Sequence, residues 1–200
     1  MTSYNIFKNK RLLVFIFICF TPLLAHAHMY GSNTNGFLSG FLHPISGLDH
    51  FLAMFSVGLW GALIGGRSVW TLPVTFPLLM VVGGILGILA VPIPSVEIGI
   101  ALSIIVLGLG ITLNWKPSEW IVLALISVFA IFHGHAHGTE LPNAVNPSDY
   151  ALGFVIATGL IHILGIAVGI ISLKIFSQKL IRGLGALVIL GGAYFLIMAF

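Results

Sequence analysis

The sequence predicts an all-α membrane protein: a bundle of six transmembrane helices behind a cleaved N-terminal signal peptide. Three observations carry that expectation. Of the 200 residues, 58% are hydrophobic and only 6% charged, against about 25% charged in an ordinary soluble domain. Mean hydropathy is +1.14. The apolar residues gather into six long runs, each near or above the roughly 20 residues a spanning helix needs.

The N-terminus has the build of a secretory signal. Lys8, Lys10 and Arg11 form a basic start, Leu12 to Leu24 an apolar centre, and Ala25-His26-Ala27 a small-x-small cleavage site. The alternative is an uncleaved first span, but the run is short for one and the cleavage site follows at once. Cleavage divides the chain into residues 1–27, the signal peptide, and 28–200, a single six-span transmembrane domain. It removes Cys19, the only cysteine, which excludes disulfides, thiolate metal sites and cysteine catalysis in the mature protein.

The six expected spans are about 36–66, 69–92, 96–114, 119–138, 149–175 and 180–200. Turn chemistry separates them: Gly65-Gly66-Arg67, Val91-Pro92-Ile93-Pro94, Asn114 to Ser118, and Pro142 to Pro147. In the first span, Pro44 and Gly47 make a kink or a local unwinding the expectation. Gly61-x-x-x-Gly65, Gly83-Gly84-x-x-Gly87 and Gly165-x-x-x-Gly169 have the spacing that lets helix backbones approach closely. With the mature N-terminus outside, Arg67, Lys116, Lys174, Lys179 and Arg182 all fall in inner loops and none in outer ones. That is the side the positive-inside rule requires. The expected location is the bacterial inner membrane, crossed many times, with both mature termini periplasmic. No basic patch marks a nucleic-acid partner.

Two polar motifs interrupt this apolar chain. The fourth span ends in Phe132-His133-Gly134-His135-Ala136-His137-Gly138-Thr139-Glu140. At about 100° per residue His133, His137 and Glu140 share one helix face, while His135 points away toward solvent. The first span opens with His43-Pro44-Ile45-Ser46-Gly47-Leu48-Asp49-His50, in which His43 and His50 are two turns apart. Asp49 suits either direct ligation or holding the His50 tautomer; the competing reading is a helix-capping aspartate beside interfacial histidines. Both motifs lie at outer helix ends, so the two can form one site. Imidazole and carboxylate are ligands for a divalent transition metal, and groups this polar are costly near a bilayer.

Other polar residues carry less. His162, in mid-span, fits either a transit ligand or a hydrogen-bonded packing residue. His28 becomes the N-terminal residue on cleavage, with an amino group and an imidazole able to chelate a cation. Glu97 and Asp149 stand at helix starts, where capping explains them.

With these motifs the chain resembles the HupE/UreJ family of small nickel or cobalt permeases over nearly its whole length. The family pattern is a signal peptide, six spans, HPxxGxDH in the first and FHGxAHGxE in the fourth; both motifs match completely, and His135 falls on a variable position. The resemblance implies uptake of Ni2+ or Co2+ for metalloenzymes such as hydrogenase or urease. It implies His43, Asp49, His50, His133, His137 and Glu140 as ligands. Expected partners are the metal ion, the lipid bilayer and, on the protein side, further copies of the chain or metalloenzyme-maturation proteins.

The function expected is that of a secondary transporter or facilitator, not an enzyme, with no organic cofactor. No phosphate-cradling loop is present to spend ATP. Two other classes compete: a membrane-embedded haem- or metal-binding accessory protein without transport activity, and an intramembrane zinc hydrolase. Clustering of the histidines at one rim with carboxylates speaks against haem. The absence of HExxH and GxSxG speaks against the hydrolase. Metal binding is expected to weaken below about pH 6, as imidazoles protonate.

Overall fold

The computed structural model describes residues 35–141, 146–175 and 178–200. The expected signal peptide and His28 lie outside the described residues. Seven helices follow in order: α1 (Gly36–Ser46), α2 (Leu48–Ile64), α3 (Ser68–Ile88), α4 (Val96–Thr112), α5 (Glu119–Thr139), α6 (Pro147–Ile175) and α7 (Gln178–Met198). No strand occurs among the described residues.

Four of these helices, α3, α5, α6 and α7, are long and apolar enough to cross a bilayer, and α1 with α2 makes a fifth, bent candidate. The remaining helix, α4, is apolar but has 17 residues. The chain is thus a multi-pass membrane protein. Large apolar side chains such as Val74, Leu78, Ile85, Leu187 and Leu190 face outward, as a lipid-bathed surface requires.

The first expected span is broken. Asn35 caps α1 by accepting from the Phe37 N–H at 3.0 Å. Pro44 stays within α1, and the break falls at Gly47, where the chain turns 77° into α2. The Gly47 N–H closes on the His43 carbonyl at 2.9 Å and its own carbonyl receives the Phe51 N–H at 2.8 Å, so Gly47 is bonded to both helices at the corner. The second expected span, 69–92, overshoots the observed helix. α3 stops at Ile88, and Ala90 and Ser95 adopt left-handed backbone (φ 53° and 52°) around Pro92 and Pro94.

α2 is the central element. Every residue from Leu52 to Leu63 is buried, and α3, α4 and α6 all pack on it. Four helix pairs approach through reciprocal glycines, among them Gly108 of α4 and Gly185 of α7, each against the other's carbonyl. Gly83 and Gly87 of α3 lie on the Ile131 and His135 carbonyls, while Gly134 and Gly138 of α5 lie on those of Met80 and Gly84. Gly40 and Gly153 join α1 to α6 in the same manner, and Gly58 and Gly165 join α2 to α6. Backbones this close gain dispersion contacts that a side chain would hold apart. Gly65 does not share in a close helix approach: a side chain there would meet open space, and it serves as a turn residue at φ 81°.

The two ends of the bundle differ in charge. Arg67, Lys116, Lys174, Lys179 and Arg182 belong to the end where α2, α4 and α6 finish and α3, α5 and α7 begin. Trp70, Trp115 and Trp120 are exposed at that end, where interfacial indoles are favoured. Asp49, Glu97, Glu140 and Asp149 belong to the other end, with both histidine motifs.

Candidate metal site

The corner at Gly47 makes the site. Seven residues of straight helix would separate His43 from His50 by about 10.5 Å along the axis. After the turn their ring centroids stand 5.8 Å apart. α5 supplies the third side: His137 lies 4.2 Å from His50 and 4.7 Å from His43, ring to ring. His43, His50 and His137 each offer a nitrogen within 4.8 Å of the other two. One ion can be held by all three, with small side-chain adjustments.

The other expected ligands border this triad. His50 Nδ1 lies 2.9 Å from Asp49 Oδ1, which favours the proton on Nδ1 and leaves Nε2 as the ligand atom. His43 Nε2 lies 3.8 Å from Glu140 Oε2. His133, one turn deeper on α5, stands 5.3 Å from His50. Its Nδ1 donates to the Phe129 carbonyl at 2.9 Å, so Nε2 carries the lone pair. Asp49, Glu140 and His133 are therefore placed to orient or extend the triad.

The site is buried, and much of its polarity is unmatched. His50 Nε2, His133 Nε2 and both nitrogens of His137 have no hydrogen-bond partner within the protein. Each such group costs about 1–3 kcal/mol when left unpaired, a cost that ligation removes. Phe154, 4.1 Å from His137, and Phe76, 5.5 Å from His133, wall the cluster with aromatic rings. The donor set fits a divalent first-row cation.

Glu97 is a residue whose role sequence reasoning missed. It sits in the first turn of α4, as capping predicts, but also lines an open vestibule of about 200 Å³ with Asp49, His50, Glu140 and Phe195. Three carboxylates thus face the approach to His50. Its position at the same helix-end level as both motifs was the available signal. Half-burial, reinforced by the Asp49 and Glu97 carboxylates, pushes the Glu140 carboxyl above its ordinary value. Asp149 is exposed in the first turn of α6.

His135 is a correction. It is not solvent-facing: its imidazole is buried, and Nε2 donates to the Val91 carbonyl at 2.7 Å. The helical period correctly turns it off the triad's face, but the 89–95 connection folds over that side of α5 and covers it. His135→Ala is therefore expected to lower thermal stability by ~1 kcal/mol. Nickel binding measured by titration should stay within about twofold of the unsubstituted protein, because the triad is untouched.

Comparison with known proteins agrees with this architecture. The model of the family described as HupE / UreJ protein matches residues 14–195. The chain belongs to the HupE/UreJ family. "Protein HupE" of Rhizobium leguminosarum bv. viciae is 41% identical over 176 residues, covering 88% of this chain and 92% of that protein. The family match takes in both histidine motifs and all seven helices up to Phe195. No solved structure gives a significant match.

Proposed function

We propose that the protein imports a divalent transition-metal ion, Ni2+ foremost and Co2+ next, from periplasm to cytoplasm, supplying a metalloenzyme such as hydrogenase or urease. The observation that carries this reading is the convergence of His43, His50 and His137 on one point at the acidic end of the bundle. Asp49, Glu97 and Glu140 draw the cation in, the triad strips and holds it, and His133 takes it inward. The family's association with nickel and cobalt uptake selects the metal class, since ligand chemistry alone does not.

In this reading the acidic end is periplasmic and the basic end cytoplasmic. The bent α1–α2 pair and the short α4 each count as one crossing, giving six. The signal peptide is removed, and both mature termini lie outside the inner membrane. A membrane potential of 100 mV favours inward passage of a dication by about 4.6 kcal/mol, so neither ATP nor a catalytic step is needed. A reporter fused after Phe200 is expected to be active as periplasmic alkaline phosphatase and dark as a cytoplasmic fluorophore. The reverse pattern would put the triad on the wrong face for import.

The decisive experiment is uptake of radiolabelled nickel, cobalt and zinc by the purified chain in proteoliposomes, with an inside-negative potential imposed. Accumulation that saturates with nickel or cobalt supports the proposal. Tight binding without accumulation would return the protein to the class of metal-binding accessory proteins.

A further inference from the structure

We propose that His162 forms a second, inner holding point for the same ion, an inference that rests on the transport reading above. His162 lies on α6 and is fully buried. Neither ring nitrogen reaches hydrogen-bond geometry with a protein group. The Pro73 carbonyl of α3 is a polar group close to its ring. That carbonyl is free for a structural reason: residue 77, which would donate to it in a helix, is also proline and has no N–H. A buried imidazole thus faces a carbonyl released from its own helix. Unwound or released carbonyls of this kind serve cations in discontinuous transporter helices.

The inner point is linked to the outer site by named groups. The Phe76 ring, fully buried, stands 5.5 Å from His133 on one side and 5.6 Å from His162 on the other. Met54 lies one turn beyond His50 on α2, and its sulfur accepts from the Thr158 hydroxyl at 3.3 Å; Thr158 in turn lies one turn before His162 on α6. Nitrogen, sulfur and oxygen donors therefore continue through an otherwise apolar core from His50 and His133 to His162. Imidazole with carbonyl or thioether suits nickel, cobalt, copper or zinc rather than magnesium or calcium. The inner set carries no carboxylate, so it holds the ion more weakly than the outer triad. Passage through a membrane requires such weak, serial sites.

A histidine kept only for packing would behave differently from one that holds metal. The test uses the full chain and compares His162→Leu with His162→Met, which have similar bulk but differ in possessing a donor. Nickel titration of the detergent-purified protein should give one tight and one weaker equivalent. His162→Leu should keep the tight equivalent within about twofold, lose the weaker one, and slow proteoliposome uptake about tenfold or more. His162→Met should recover the weaker equivalent in part.

Retention of two equivalents by His162→Leu would overturn the inner point, as would identical behaviour of the Leu and Met variants. Loss of the tight equivalent in both variants would mark His162 as a packing residue and overturn it equally. Failure of the unsubstituted chain to accumulate nickel would sink the transport reading instead, and the count of bound ions would still decide the role of His162.

Discussion

Nickel uptake by His50→Ala or His137→Ala is expected to fall about 100-fold or more, with membrane abundance near normal. These two imidazoles have the closest ring approach in the triad, 4.2 Å, so removing either leaves two nitrogens where three converged. His137→Ala removes no hydrogen bond, since neither of its nitrogens has a partner within the protein, and His50→Ala gives up only the partly exposed contact to Asp49. Folding should therefore tolerate the change, and relief of unpaired polarity can even raise thermal stability. The measurement pairs initial uptake in proteoliposomes with quantified protein. Wild-type uptake of nickel, cobalt and zinc by both variants would refute the triad as the metal-selecting site.

Gly134→Val is expected to be among the most damaging single changes to the fold, destabilising by about 3 kcal/mol. A Cβ at this position would meet the Met80 backbone carbonyl directly. Backbone cannot swing aside as a flexible side chain can, so α3 and α5 must part along a seam that Gly83, Gly87 and Gly138 share. His133 and His137 flank Gly134 on α5, so the triad would separate with the helices. Thermal scanning of the detergent-solubilised variant should show an early transition and loss of nickel-induced stabilisation. A variant with unchanged melting and binding would mean that the α3–α5 seam is not as tight as described.

Much of the candidate site was legible because helices have a fixed period. His133 and His137 point to one side of α5 by spacing alone, and both motifs fall at one end of the bundle by counting spans. Pro44 and Gly47 announced a break, though not that Pro44 would remain helical and Gly47 take the whole turn. Three features required tertiary positions. His135 is covered by the 89–95 connection, which no periodicity in α5 describes. Glu97 reads as a capping residue until the start of α4 is set beside Asp49 and Glu140. The division between three converging imidazoles and the groups around them depends on side-chain distances across α1, α2 and α5. The glycine spacings gave the close helix pairs, and of the two readings open for Gly65, turn residue and packing residue, the turn is the one observed.

In the proposed import, the corner at Gly47 also bears on how far an ion would travel through a dry medium. Because α1 turns aside, only the 17 residues of α2 run on through the bundle, and its neighbour α4 has the same length. Seventeen residues rise about 26 Å, short of the roughly 30 Å hydrocarbon thickness. The flanking helices α3, α5, α6 and α7 have 21 to 29 residues. The two shortest of the long apolar helices, α2 and α4, thus pack beside one another among longer ones. In the proposed import, a given membrane voltage dropped across a thinner layer would steepen the gradient, concentrating the pull on a dication between the triad and the basic end.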